Sequence, residues 1–141
     1  MAKYLRGLAW YEWYPDYSHD FSGITINAGD TIKLTVTASS TTSGKAVVEN
    51  LTTGTTVSKS LTSSYALCEE NAEWIVEDYQ ENGSLVSLCD FGTVTFTNAY
   101  ATTKSGTRVS PNGATLVDLE QNNKVLTSVA EHSSGVTIKY V

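Results

Sequence analysis

The chain has 141 residues and a formal net charge of −6, with only 17% of its side chains charged and about a quarter of them Ser or Thr. That length fits one domain with a sizeable core, and the negative balance weighs against nucleic acid or an anionic membrane as partner, since either would repel the surface. No apolar run approaches the roughly 20 residues of a membrane span, and Met1-Ala2-Lys3 is not followed by the apolar core of a secretory signal.

The same composition suits work in acid. As pH falls toward about 4 the carboxylates protonate, so self-repulsion shrinks before it can grow with the opposite sign. Asn50 and Asn82 head Asn-X-Ser/Thr sequons, at a frequency that chance would give. Cys68 and Cys89 could pair with each other, pair outside the chain or stay free, and neither has metal-ligand spacing.

Met1 to Gly7 is set apart from the rest, leaving residues 8–141 as a single domain. Leu8 to Tyr14 reads LAWYEWY, a strand pattern that puts Ala9, Tyr11 and Trp13 on one face and Trp10, Glu12 and Tyr14 on the other. The second face resembles the wall of a cleft that grips an extended polymer, although a Trp/Tyr cluster also serves as core. Asp16 to Asp20 is expected as a polar loop. Its His19 and the distant His132 are expected at the surface, with no metal site, no cofactor and no Ser-His-Asp arrangement.

From Phe21 onward short alternating runs separated by turn signals predict an antiparallel sandwich of about eleven strands with no helix. Phe21 to Ile26 is one strand. Ile32, Leu34, Val36 and Ala38 form the buried face of the next. Lys45 to Leu51 and Thr55 to Leu61 read as a hairpin around Thr52-Thr53-Gly54. Phe91 to Tyr100 puts Asn98 on the same face as Val94 and Phe96. Ala114 to Glu120 and Lys124 to Ser128 bracket Gln121-Asn122-Asn123 as a second hairpin, and Val136 to Val141 is the last strand.

The stretch Asn71 to Tyr79, NAEWIVEDY, carries the most chemistry. As a strand it turns Glu73, Ile75 and Glu77 one way and Ala72, Trp74, Val76 and Asp78 the other. A carboxylate on the concave face of a sheet loses solvation and becomes suited to proton transfer, which makes Glu77 the leading candidate. The alternative is that both glutamates face water on a one-sided antiparallel sheet.

The strings AWYEWYPDYSHDFSGITINAGDTI, SGKAVVENLTTG and LCEENAEWIVEDY, in that order, resemble the glutamic peptidases (eqolisins) from about Ala9 to Val141. The resemblance implies a concanavalin-like antiparallel sandwich of two packed sheets, and a secreted, fungal-type endopeptidase active in acid on peptide or protein substrates. It implies that Glu77, the second Glu of the NAE motif, is the catalytic base and that Trp10, Glu12, Tyr14 and Glu73 line the substrate cleft. The family's second catalytic residue is a glutamine, carried on N-terminal strands that this chain is expected to lack. Gln80 and Gln121 do not replace it: Gln80 is three residues past Glu77, and Gln121 is in an expected turn. By the same resemblance the partner of Cys68 lies in the missing part, and Cys89 stands where a relative has a small apolar residue.

A sandwich without its first strands exposes apolar faces and strand edges, so a homo-oligomer or a complementing N-terminal chain is expected as partner. Three functions follow. The first is an acid endopeptidase-like domain, weak or inactive by itself because its Glu/Gln pair is incomplete. The second is a non-catalytic peptide-binding or self-assembling module. The third takes Glu12 and Glu77 as a glycosidase pair.

Overall fold

The computed structural model describes residues 6–141, and among them there are sixteen strands and no helix. The chain divides into two compact units, the first ending at Asn71 and the second spanning Ala72–Val141. Every strand pairing is antiparallel and lies within one unit.

The first unit carries β1 (Arg6–Gly7), β2 (Trp10–Tyr11), β3 (His19–Asp20), β4 (Ile26–Asn27), β5 (Ile32–Ser40), β6 (Ser43–Asn50) and β7 (Thr55–Thr62). Strand β1 pairs with β4 and β2 with β3, and the three long strands form a sheet in chain order with β6 at its centre. Opposed residues of an antiparallel ladder share a face. Val48 therefore sits between Leu34 and Val57, and Asn50 between Ile32 and Thr55. On the other face Lys33 pairs with Glu49, an ion pair exposed enough to add little stability.

The Asn50 side chain is 1% exposed, and its amide ties together one end of the sheet. Its Nδ2 donates to Thr25 O at 3.0 Å and to Asp30 Oδ2 at 2.8 Å, while its Oδ1 accepts from the backbone amides of Thr52 and Thr53 at 3.0 and 3.1 Å. A buried amide left unpaired would cost on the order of 1–3 kcal/mol, so this residue both demands and fixes the expected Thr52-Thr53-Gly54 turn. Gly54 closes it at φ +76, donating its own amide to Asn50 O.

The second unit carries β8 (Gln80–Glu81), β9 (Ser84–Leu85), β10 (Thr93–Thr97), β11 (Ala101–Thr102), β12 (Arg108–Val109), β13 (Glu120–Gln121), β14 (Lys124–Val125), β15 (Thr127–His132) and β16 (Gly135–Tyr140). Its core is the three-stranded sheet β10-β16-β15, where Val136 and Ile138 are buried. Gly135 permits the close approach of β10, since a Cβ there would run into the Phe96 carbonyl. Three two-stranded ladders, β8/β9, β11/β12 and β13/β14, surround this sheet in sequence.

Several expectations need correction. Leu34 and Val36 are 63% and 85% exposed, because the groups that approach their face of the sheet, the Trp13 ring near Gly44 and Gly23 near Val57, lie against β6 and β7 and not against the edge strand β5. Asn98 does not continue β10: its φ of +52 swings it out of the sheet, as an αL-tolerant residue can. Phe21 to Ile26 contributes only the start of β4, and Ala114 to Glu120 only the start of β13. His19 lies in β3 and not in a loop, with its ring stacked on Tyr11 at 5.5 Å. The expectation that Met1 to Gly7 stands apart falls mostly outside the described residues, though Arg6 and Gly7 do pair with Asn27 and Ile26.

The contrast across one face of the β5-β6-β7 sheet is measurable. Val48→Ala is expected to cost about 2 kcal/mol because a buried cavity opens, and Val36→Thr less than about 0.5 kcal/mol because nothing packs on it. Urea unfolding of the two variants checks this.

Candidate functional site

Two stretches carry the residues singled out in the sequence, one in each unit. In the first, ladder pairing is limited to Trp10 and Tyr11, yet exposure alternates from Ala9 to Tyr14. Ala9, Tyr11 and Trp13 turn inward. Trp13 is 9% exposed and its Nε1 donates to Tyr65 O at 2.9 Å, while Tyr11 meets the Phe21 ring edge-on at 4.8 Å. These contacts lock the strand's rotation, and parity then presents Trp10, Glu12 and Tyr14 together on the solvent face. Trp10 is 49% and Tyr14 83% exposed, so two large aromatic surfaces flank the Glu12 carboxylate.

The second stretch departs from expectation in one respect and keeps it in another. Residues 71–79 form no ladder with any described strand, so NAEWIVEDY is not a paired strand here. Its period of two survives from Glu73 to Tyr79, although Ala72, expected on the inner face with Trp74, is exposed. Trp74, Val76 and Asp78 are half-buried, and Glu73, Ile75, Glu77 and Tyr79 are exposed. Glu73 and Glu77 therefore share a face, as the sequence predicts. Glu77 is solvated, however, so the desolvation expected of a concave face is not present, and among the described residues it has no hydrogen-bond or ion-pair partner.

On the opposite face, Asp78 is held. Gln121 Nε2 donates to Asp78 Oδ1 at 2.8 Å and to Val86 O at 2.9 Å, and Gln121 Oε1 accepts from Leu88 N at 3.4 Å. The sequence predicts Gln121 in a turn. It is instead the last residue of β13, and Asn122 and Asn123 make the turn with φ of 53° and 60°. The Asn-Asn pair was the available signal, since two consecutive αL residues mark a tight hairpin and push Gln121 back into the strand. No hydrogen bond joins Gln80 or Gln121 to Glu77.

Thus the structure groups Trp10, Glu12 and Tyr14 on one face of the first unit, and Glu73 and Glu77 on one face of the second. Two surface hollows, one bordered by Pro15, Asp16 and Tyr65 and the other by Asn98, Tyr100 and Arg108, include none of the five. Cys68 and Cys89 are both free, exposed thiols.

The model of the Peptidase A4 family matches residues 7–140. The chain belongs to this family. It is 55% identical over 135 residues to aspergillopepsin-2 of Aspergillus niger, an alignment that covers 94% of this chain and 48% of that protein. It is 46% identical over 142 residues to scytalidopepsin B of Scytalidium lignicola, covering 94% and 54%. The chain thus spans about half the length of the curated relatives it matches. Among solved structures, the aspergilloglutamic peptidase of Aspergillus niger superposes with a TM-score of 0.88 at 54% identity, covering 94% of this chain and 78% of that one. The all-β, antiparallel class expected from the sequence is therefore the observed one, and it matches the β-sandwich of the glutamic peptidases.

Exposure without partners separates the carboxylates from the framework that carries them. Glu73→Gln and Glu77→Gln are each expected to change unfolding free energy by less than about 0.5 kcal/mol. Trp13→Ala is expected to cost about 3 kcal/mol or more, from lost packing and an orphaned Tyr65 carbonyl. Denaturant titration of the three variants provides the check.

Proposed function

We propose that the chain is a glutamic peptidase domain that hydrolyses peptide bonds in acid, with Glu77 as its general base. The observation that carries this reading is the position of Glu77: the second glutamate of NAEWIVEDY, in a chain of the Peptidase A4 family, stands exposed and, among the described residues, unpartnered on one side of its unladdered segment. A carboxylate free of internal bonds is available to a water molecule and a substrate amide. In the proposed reaction Glu77 takes a proton from the attacking water, the water oxygen adds to the peptide carbonyl, and the same proton passes to the departing amine as the C–N bond breaks.

The tetrahedral intermediate carries a negative oxygen that needs a donor. No glutamine amide is bonded to Glu77 among the described residues, and Gln121 spends its two amide hydrogens on Asp78 and Val86. Turnover by this chain alone is accordingly slow. The exposed Trp10 and Tyr14, with Glu12 between them, supply apolar and acidic contacts for an extended peptide. The same aromatic face favours a second reading, in which the domain binds peptide without cleaving it.

Peptide hydrolysis by the purified chain between about pH 2 and pH 5 distinguishes the two. Glu77→Gln is expected to lower kcat/KM by about 100-fold or more, the usual contribution of a general base. Equal rates for both proteins would sink the catalytic assignment. Saturable peptide binding with no cleavage by either protein would establish the second reading in its place.

A further inference from the structure

We propose that Gln121 is a positioning residue for Glu77, acting through Asp78. The inference rests on the reading of Glu77 as the catalytic carboxylate, but its geometric basis is independent of that reading. A strand without a ladder lacks the backbone bonds that normally stop it turning about its own axis. Residues 71–79 are such a segment. One turn of that kind would bring Glu77 to the inner side and Asp78 to the outer, so something other than a sheet must set which carboxylate faces solvent.

Half-burial of Trp74 and Val76 favours one facing, and the Gln121 amide fixes it at Asp78 with three contacts, all within the second unit. It holds Asp78 Oδ1 at 2.8 Å, caps Val86 O at 2.9 Å and accepts from Leu88 N at 3.4 Å. Val86 in turn donates its amide to Tyr79 O at 3.1 Å, which closes the base of the β8/β9 hairpin directly after Asp78. Gln121 itself is fixed by pairing of β13 with β14, where it stands opposite Lys124. The side chain thus spans from one anchored hairpin to the base of another, and Asp78 is pinned between them. With Asp78 pinned inward, the two-residue period presents Glu77 outward.

An amide suits the place because it donates twice and accepts once without adding charge beside Asp78. That property supplies a test. A glutamate at the same position can donate to Asp78 only while it is protonated; once both carboxyls ionise they repel. Gln121→Glu, which even when protonated has one hydrogen for the two acceptors Asp78 and Val86 O, is therefore expected to recover part of the parent's kcat at about pH 3 and to fall about tenfold or more below that level at about pH 5, beyond any change the parent shows. Gln121→Ala is expected to lower kcat about 10- to 100-fold at every pH with KM within about twofold, because misorientation affects the reacting group and not the aromatic face. A merely structural amide would produce neither the pH-dependent rescue nor the split between kcat and KM.

Amide hydrogen exchange reads the same variants without turnover. In Gln121→Ala the Val86 amide is expected to exchange about tenfold faster or more, while amides of β15 and β16 stay within about twofold. Uniform acceleration across β15 and β16, or unchanged kcat and unchanged Val86 exchange, would overturn the proposal. If the unsubstituted chain cleaves no peptide, the catalytic role of Glu77 falls by itself; selective loss of Val86 protection then still supports the clamp on Asp78, and its absence removes it.

Discussion

Parity governs this molecule. In an extended chain successive side chains leave on opposite sides, so fixing one side chain decides the direction of its neighbours for as long as the chain stays extended. Burying Trp13 puts Tyr14 and Glu12 in water, and tying down Asp78 puts Glu77 there. The constraint does not require a sheet. It holds through residues 73–79, which have no ladder, because it belongs to the covalent geometry of the backbone and not to its hydrogen bonds.

That locality explains what the sequence made legible. The division of LAWYEWY and of NAEWIVEDY into inner and outer faces follows from parity alone; the first holds from Ala9 to Tyr14 and the second from Glu73 to Tyr79, with Ala72 exposed against expectation. The Thr52-Thr53-Gly54 turn was also readable, and the Gln121-Asn122-Asn123 turn in part: Gly54, Asn122 and Asn123 reach positive φ at low cost, whereas Gln121 belongs to the strand. The family could be read from three ordered strings, and the match over residues 7–140 agrees with them.

Less legible was anything decided by a distant partner. Ile32, Leu34, Val36 and Ala38 alternate as a buried face should, but burial depends on what lies over β5, which no local pattern specifies. Asn98 continues the parity of Val94 and Phe96 on paper; a left-handed backbone at that one residue ends the strand instead. Gln121 is 43 residues from the aspartate it holds, so its role is invisible until the two hairpins are placed. In each case the sequence states which side a residue points to, and only the tertiary structure states what it meets there.

Both hydrogens of the Asn50 amide are spent inside the fold, one toward Thr25 O and one toward Asp30 Oδ2. An N-linked sugar replaces one such hydrogen and needs open space at the nitrogen. In a compartment that glycosylates, this sequon therefore sets modification in a race with folding: a chain that closes the β6–β7 turn first is protected, and one captured earlier loses the contacts that hold that end of the sheet. Asn82, exposed at the tip of the β8/β9 hairpin, carries no comparable conflict. The timing of chain closure, more than the motif itself, decides whether Asn50 is open to a glycan.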